Sequence, residues 1–199
     1  MQDAEPEKHA ENDGASSASL EELRRENALL KQKIVKLERL ASRDTLTPLF
    51  NRRHFLELLE RWSWRAERYG GDYGIIFIDV DELKAVNDGM GHVIGDKVLI
   101  AIANVLVDNI RRSDVAARLG GDEFGILLDS TNDDEVLAKV EELRSEVSKL
   151  QIDVEGEIVN PTISLGHSML EAGKTADDIM EKVDRRMYRE KRAGKSPAS

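Results

Sequence analysis

Two adjacent carboxylates, Asp122 and Glu123, lie between two runs whose residue types are typical of short strands. Gly120 and Gly121 precede them, and a glycine pair between strands predicts a hairpin because glycine supplies the positive φ that primed turns need. Glycine also lets a bulky phosphate approach the backbone closely. Mg²⁺ prefers hard oxygen ligands and completes its coordination with water and substrate phosphates. The motif therefore indicates a metal site beside a phosphate ligand, with a solvated acidic turn as the alternative.

A third carboxylate, Asp79, ends the apolar run 75–78, which predicts a strand buried on both faces. Open α/β sheets bind ligands at the carboxyl ends of their strands, where Asp79 falls. The spacing of Asp79 and Asp81 could also begin a calcium loop, but that loop needs glycine where Lys84 stands and glutamate where Met90 stands. Carboxylates on two neighbouring strands instead suit two-metal phosphoryl transfer, in which the ions clamp the attacking and leaving oxygens.

Six separated blocks, in this order along the chain, resemble the GGDEF family of bacterial diguanylate cyclases, which make cyclic di-GMP from GTP. The blocks are residues 44–53, 79–96, 111–114, 120–124, 162–166 and 184–195. The resemblance implies the palm-type fold shared with nucleotide cyclases and polymerases. It also implies condensation of two GTP molecules into cyclic di-GMP and two pyrophosphates. The 3′-hydroxyl of one GTP would attack the α-phosphate of the other across a dimer of half-sites.

The resemblance implies that two Mg²⁺ ions, or Mn²⁺ in their place, bind at the acidic residues. Their ligands would be the side chains of Asp79, Asp122 and Glu123 and the carbonyl oxygen of Val80. Either Asp122 or Glu123 would also assist deprotonation of the attacking 3′-hydroxyl, and both assignments stay open. Lys84 would stabilise phosphate charge in the transition state. The alternative for Lys84 is a solvated surface lysine.

The residues that the resemblance implies for GTP fall on three segments. Asn87, His92 and Asp96 would contact the base and ribose, Gly120 and Gly121 would lie beside the phosphates, and Lys191 and Lys195 would hold the β- and γ-phosphates. Asp96 favours GTP over ATP, because it accepts hydrogen bonds from guanine N1 and N2 donors that adenine lacks. The alternative for His92 is a histidine that packs the loop. The family usually has arginine where this chain has Lys195, and lysine gives up bidentate phosphate recognition.

Arg111 and Asp114 resemble the inhibitory product site of the family by their offset from Gly120. Arginine there would fork onto a phosphate or guanine of cyclic di-GMP, and the aspartate would bind a guanine edge. The alternative is the charged end of a helix, where arginine interacts favourably with the carboxyl-terminal dipole.

The segment before the catalytic region carries a heptad pattern. Positions a and d hold Leu20, Leu23, Asn27, Leu30, Ile34, Leu37 and Ala41. Asn27 at an a position favours a parallel dimer, and the e and g residues pair attractively between two parallel copies. The alternative is an amphipathic helix packed on its own domain. The predicted organisation is a disordered segment at 1–19, a dimerising coiled coil at 20–43, a catalytic domain at 44–195 and a tail at 196–199.

Hydrophobic periodicity predicts the elements that must position these residues. The predicted helices are 55–68, 95–110, 133–150 and 175–192, and the predicted strands are 75–79, 115–119, 124–128 and 161–167. A loop is expected between strand 75–79 and the helix that follows it. The order β-α-β-β-α-β predicts a ferredoxin-like α+β sandwich, with helices over one face of an antiparallel sheet.

Composition bounds the function classes. The chain has 199 residues, a formal net charge of −10 and no cysteine. The acidic balance argues against nucleic-acid binding, no apolar run is long enough to span a bilayer, and the N-terminus has no secretory signal. We expect a cytoplasmic enzyme whose partners are GTP, cyclic di-GMP and a second copy of the chain. The alternatives are an inactive receptor for GTP or cyclic di-GMP and a purely structural dimerisation protein, which the acidic site disfavours.

Overall fold

The computed structural model describes residues 21–33 and 41–194 of the chain. The chain divides after Ala41 into two units. No helix within the described residues is both long enough and apolar enough to cross a membrane.

The first unit contains helix α1, whose described residues are 21–33. Leu23 and Leu30, two of the heptad leucines, are 61% and 50% exposed on it. An apolar stripe left open to water is what a helix needs in order to pair with another helix. The heptad positions 20, 34 and 37, the predicted disordered segment 1–19 and the tail 196–199 lie outside the described residues.

The second unit contains seven strands and five further helices among the described residues. They are β1 (Phe50–Asn51), α2 (Arg52–Tyr69), β2 (Tyr73–Val80), α3 (Leu83–Met90), α4 (His92–Asp108), β3 (Val115–Arg118), β4 (Glu123–Asp129), α5 (Asp133–Ser148), β5 (Ile152–Val154), β6 (Glu157–Val159), β7 (Ile163–Met169) and α6 (Ala176–Gly194). Five strands form one sheet in the order β1-β3-β4-β2-β7, and β5 and β6 form a separate hairpin. Within the sheet, the pairs β3–β4, β4–β2 and β2–β7 are antiparallel, and β1 is parallel to β3. The predicted ferredoxin-like α+β sandwich is confirmed.

Strand β2 lies between two hydrophobic cores, because both of its faces are apolar. Ile76 and Ile78 belong to the core that α4 and α5 complete. Ile75 and Phe77, on the opposite face, belong to the core that α2 and α6 complete. The prediction of helices over one face only was therefore wrong. The helices α2 and α6 flank the β-α-β-β-α-β unit in sequence, and they cover the face that this unit leaves open.

Two glycines let α2 and α6 approach the sheet closely. A Cβ added at Gly125 of β4 would lie 2.7 Å from the ring of Phe55 in α2. A Cβ added at Gly166 of β7 would lie 2.7 Å from the backbone nitrogen of Met187 in α6. Since β4 and β7 both pair with β2, these contacts hold α2 and α6 directly over the central strands.

Other features of this unit also differ from the prediction, and strand β1 was not among the predicted strands. The expected loop after β2 contains helix α3, the next helix begins at His92 rather than at residue 95, and β5 and β6 form a hairpin that was not predicted. Helix α3 has eight residues, and its N-cap, Glu82, makes no side-chain capping hydrogen bond. The sequence therefore lacks the usual signal of a helix start. Strands β5 and β6 have three residues each, too few for a clear alternation of apolar and polar residues.

Candidate active site

The signature hairpin joins β3 to β4 through residues 119–122. The N–H groups of Leu119 and Gly120 both donate to the carbonyl of Glu123, at 2.8 and 3.4 Å. Neither Gly120 nor Gly121 has a positive φ, so the prediction of a primed turn was wrong. A primed turn is typical of two-residue connections, and this connection is longer. At Gly120 the need for glycine is spatial. An added Cβ would lie 2.9 Å from Oε2 of Glu123, so the glutamate carboxylate rests against this glycine.

The carboxylates meet at one end of β2. Asp79 and Glu123 lie directly opposite each other in the β2–β4 ladder, so their side chains share a face of the sheet. The N–H of Val80 donates to the carbonyl of Asp122 at 3.0 Å. The four residues predicted to bind metal are therefore neighbours. We call them the acidic edge.

The acidic edge fits a magnesium site that shares its ion with a substrate. Among the described residues, no three His, Cys, Asp or Glu side chains converge to hold a metal by themselves. Mg²⁺ does not require such a cage, because it is usually bound by one or two carboxylates, water and substrate phosphates. Asp79 and Glu123 on facing strands, with the Val80 carbonyl beside them, supply oxygen donors of the type that Mg²⁺ prefers.

The residues predicted to bind the base lie on α3 and α4. A Cβ added at Gly95 would lie 2.0 Å from Oδ1 of Asn87, so the amide of Asn87 occupies the space above that glycine. Asp96 follows Gly95 directly and is exposed, as is His92 one turn earlier. The structure thus brings Asn87, His92 and Asp96 to the facing turns of two helices. The exposure of His92 argues against the alternative of a loop-packing histidine.

Of the three lysines predicted to contact the phosphates, two lie within the described residues. Lys84 is exposed in the first turn of α3, soon after the end of β2. Lys191 belongs to α6, which packs on the face of the sheet that carries Asp79 and Glu123. Lys195 lies outside the described residues.

A cavity of about 310 Å³ adjoins the acidic edge between α2 and α6. It is lined by Arg52, Phe77, Leu119, Glu123, Met180 and Met187, among others. Arg52 also donates from Nη1 to the carbonyl of Leu119 at 3.5 Å, which connects α2 to the hairpin. The sequence contained no separate signal for Arg52, because it falls within block 44–53 and no pattern assigned it a role.

An ion pair that was not predicted connects the start of the second unit to the signature hairpin. Asp44 accepts hydrogen bonds from Thr47 Oγ1 and from the Thr47 N–H, both at 2.8 Å, and its Oδ1 lies 3.5 Å from Nη1 of Arg118. Arg118 in turn donates from Nη2 to the carbonyl of Gly121 at 2.7 Å. Burial raises the pKa of Asp44, but the hydrogen bonds from Thr47 and the charge of Arg118 outweigh it and hold that pKa below 3.8.

Arg111 and Asp114 form a closed turn at the far end of the sheet. Oδ2 of Asp114 accepts from the Arg111 N–H at 2.9 Å, and Oδ1 accepts from the Asp129 N–H at 3.2 Å. Helix α4 ends at Asp108, so Arg111 lies beyond the helix end that the alternative interpretation required. The Arg111 side chain is exposed, and Asp114 anchors the turn to the end of β4.

A family model described as diguanylate cyclase, GGDEF domain, matches residues 41–197. The chain is 38% identical over 152 residues to the diguanylate cyclase DgcP of Pseudomonas aeruginosa, covering 76% of this chain and 23% of that protein. It is 34% identical over 154 residues to the diguanylate cyclase DosC of Escherichia coli, covering 77% of this chain and 34% of that protein. The chain thus spans about a quarter to a third of the length of these two relatives.

The fold also matches solved structures. One contains the coiled coil and GGDEF domain of DgcB from Caulobacter crescentus in complex with cyclic di-GMP. It is 30% identical in sequence with a TM-score of 0.80, and the match covers 90% of this chain and 96% of that one. The family model, the sequence relatives and the solved structure all point to the same family as the residues of the acidic edge. The chain belongs to the GGDEF family of diguanylate cyclase domains.

Proposed function

We propose that this chain is a diguanylate cyclase that condenses two GTP molecules into cyclic di-GMP and two pyrophosphates. The observation that carries the proposal is the pairing of Asp79 with Glu123 across the β2–β4 ladder, with Asp122 bonded to Val80. Oxygen donors fixed on adjoining strands suit an in-line displacement at phosphorus. The intact acidic edge disfavours the alternative of an inactive receptor.

Each of the two condensation steps forms a bond from O3′ of one GTP to the α-phosphorus of the other. The bond from that phosphorus to the bridging oxygen breaks, and pyrophosphate leaves with the electron pair. The hydroxyl proton passes to a carboxylate, Asp122 or Glu123. Bound Mg²⁺ supplies positive charge that acidifies the hydroxyl and neutralises the phosphates. Lys84, exposed at the start of α3, brings a further cation towards the phosphates.

Guanine recognition is proposed for the α3–α4 pair. Asn87 lies against Gly95 and is half-buried, whereas Asp96 and His92 are exposed beside it. A carboxylate at Asp96 would pair with the N1 and N2 donors of guanine, and ATP would leave that carboxylate without donors. The substrate is therefore GTP, with the ribose held by His92 and Asn87.

Turnover requires two copies of the chain, because each copy would bind one GTP. We propose that α1 forms a parallel coiled coil with α1 of the second copy through Leu23, Asn27 and Leu30. The two leucines are exposed in the single chain. The DgcB structure is described as containing a coiled coil together with its GGDEF domain, which supports this organisation.

Product inhibition is proposed at Arg111 and Asp114. Both carboxylate oxygens of Asp114 already accept backbone N–H groups, so the exposed Arg111 guanidinium would supply most of the attraction for a phosphate or guanine of cyclic di-GMP. Asp114 would contribute through the lone pairs that remain on its oxygens.

The proposed partners are GTP, cyclic di-GMP and a second copy of the chain, rather than nucleic acid or a membrane. The formal net charge of −10 opposes general binding to a polyanion. We place the protein in the cytoplasm, where GTP is available.

The test is to incubate the purified chain with GTP and MgCl₂ and to identify the products by mass spectrometry. Cyclic di-GMP is the expected product from GTP, and no cyclic dinucleotide is expected when ATP replaces GTP. Binding of GTP or cyclic di-GMP without any turnover would reject the proposal and support the inactive receptor.

A further inference from the structure

Asp81 follows Val80 directly and is attached to the β7 side of the sheet by three hydrogen bonds. Its N–H donates to the carbonyl of Thr162 at 2.9 Å. One carboxylate oxygen accepts from Thr162 Oγ1 at 2.9 Å, and the other accepts from Ser164 Oγ at 2.7 Å. Hydrogen bonds to a carboxylate are shorter and stronger than those between neutral groups. This arrangement, the Asp81 latch, therefore fixes the backbone at the point where β2 ends.

The latch determines where the Val80 carbonyl points. The peptide group between Val80 and Asp81 is planar and trans, so its C=O and N–H point in opposite directions. The Asp81 N–H points at Thr162, and the Val80 carbonyl therefore points away from β7. That direction is the side on which the Val80 N–H donates to Asp122 at 3.0 Å. The carbonyl is thus aimed towards the hairpin of the acidic edge.

The residue after the latch adopts a conformation that needs support. Glu82 has a φ of 55° and a ψ of 19°, in the left-handed region. A non-glycine residue stays there only where its surroundings determine the backbone. Asp81 supplies that constraint on one side, and on the other the Glu82 carbonyl accepts from the N–H groups of Ala85 and Val86. The latch therefore also fixes the start of α3, which carries Lys84.

We propose that Asp81, held by Thr162 and Ser164, is a positioning residue that aims the Val80 carbonyl at a divalent cation on the acidic edge. The inference rests on the proposed function, in which the Val80 carbonyl is a cation ligand. Asp81 acts through the backbone and does not itself contact the cation. Loss of either hydroxyl weakens cation binding. Ser164 also lies opposite Asp79 in the β2–β7 ladder, whereas Thr162 precedes β7, so a loss of affinity in Thr162→Val is the result that isolates the latch.

The test compares two serines on the same strand. Ser164→Ala removes a hydroxyl that donates to Asp81. Ser168→Ala removes the hydroxyl of another buried serine, which donates to the Met169 carbonyl at 2.9 Å at the other end of β7. Mn²⁺ binding to the full chain with a non-hydrolysable GTP analogue is measured from the electron paramagnetic resonance signal of free Mn²⁺. Thermal unfolding of both variants is measured in parallel.

Ser164→Ala is expected to raise the Mn²⁺ dissociation constant about tenfold or more, which is typical when a group supporting a metal ligand is removed. Ser168→Ala should leave that constant unchanged, although both variants lose a buried hydrogen bond and some thermal stability. Thr162→Val, at an exposed position, makes the same test if Ser164→Ala fails to fold.

Equal Mn²⁺ affinity in the Ser164, Thr162 and Ser168 variants would overturn the inference, as would a wild-type chain that does not bind Mn²⁺. The proposed function fails separately. If the wild-type chain binds Mn²⁺ with the analogue but makes no cyclic di-GMP from GTP, the proposed cyclase activity is rejected. The comparison of the two serine variants still decides whether Asp81 positions the cation ligand.

Discussion

Single residues on both sides of the acidic edge fix its backbone. On one side Asp81 attaches the end of β2 to Thr162 and Ser164. On the other side Arg118 donates to the Gly121 carbonyl and pairs with Asp44. These contacts add to the β2–β4 pairing of Asp79 with Glu123, because charged groups outside the edge hold the strand end and the hairpin. Preorganisation of this kind favours catalysis, since less reorganisation is needed when the substrate arrives.

The Asp44–Arg118 pair predicts a pH-dependent loss of stability. The pKa of Asp44 is lower in the folded chain than its ordinary value of 3.8, so its charged form stabilises the fold above that pH and the contribution disappears as the pH falls through the folded pKa. We expect Asp44→Asn to lower the free energy of unfolding at pH 7 by about 1–3 kcal/mol. Urea unfolding at several pH values checks this. The difference from wild type should shrink below pH 3.8, and a constant difference would contradict the account.

The proposed product site predicts a change in feedback with no change in fold. Arg111→Ala should raise the cyclic di-GMP concentration for half-inhibition at least tenfold, which corresponds to about 1.4 kcal/mol of lost binding. Initial rates measured over a range of added product test this. Arg112→Ala, the exposed neighbour, is the matched control and should behave as wild type. The same half-inhibition in all three proteins would show that Arg111 is not a product ligand.

At the scale of elements, helix α6 forms one wall of the cavity that adjoins the acidic edge. It packs on the face that carries Asp79 and Glu123, and Met180 and Met187 from this helix line the cavity beside Glu123. It lies close to the sheet at Gly166, where a Cβ would meet the backbone of Met187. The seating of α6, which also carries Lys191, therefore leaves no room for a side chain at Gly166.

Gly166→Ala tests this seating. The added methyl group would have to displace α6, and overpacking of this kind costs about 1–3 kcal/mol, seen as a lower urea midpoint with an unchanged slope. Gly89→Ala is the control, because its Cβ would meet nothing within 4 Å and alanine is the better helix former. Equal stability of the two variants would show that α6 is not seated on the glycine.

The elements that could be predicted from the sequence are those that carry a local residue pattern, and the features that depend on residues far apart in the chain could not be predicted. The apolar run of β2 and the periodic helices α2, α4, α5 and α6 were predictable, because each carries its own pattern of buried residues. Helix α3 was not, because its N-cap, Glu82, makes no side-chain capping hydrogen bond, and the contacts that fix the preceding Asp81 come from the distant Thr162 and Ser164. The Asp44–Arg118 pair joins residues 74 positions apart, and no local pattern specifies such a partner. The positive φ expected at Gly120 was wrong, since the glycine is required there by the Glu123 carboxylate.

At the scale of the whole molecule, the proposed reaction requires two acidic edges to meet. A single copy of the described second unit contains one acidic edge, formed where β2 meets β4. Two GTP molecules would then be bound on two chains, and the rate of condensation would depend on how often two such units are neighbours. A coiled coil through α1 would raise that frequency, because a short connection can hold partners at an effective concentration in the millimolar range.

Deletion of residues 1–41 should therefore separate folding from activity. We expect the remaining chain to fold, because the second unit has its own two hydrophobic cores. Its specific activity should rise steeply with protein concentration, whereas the full chain should show a much flatter dependence over the same range. Rates measured across a hundredfold dilution series test this. Identical dependence in the two proteins would mean that the heptads do not control catalysis.

The central claim is that the chain condenses two GTP molecules with the help of the carboxylates of the acidic edge, and the reaction stoichiometry tests it most directly. GTP consumed, pyrophosphate released and cyclic di-GMP formed are measured in one time course for the full chain with MgCl₂. The account predicts two GTP and two pyrophosphates per cyclic di-GMP, with a loss of about a hundredfold or more in Asp79→Asn or Asp122→Asn and an unchanged circular dichroism spectrum. Cyclic di-GMP formed at near the wild-type rate by either variant, or GTP consumed without cyclic di-GMP, would contradict it.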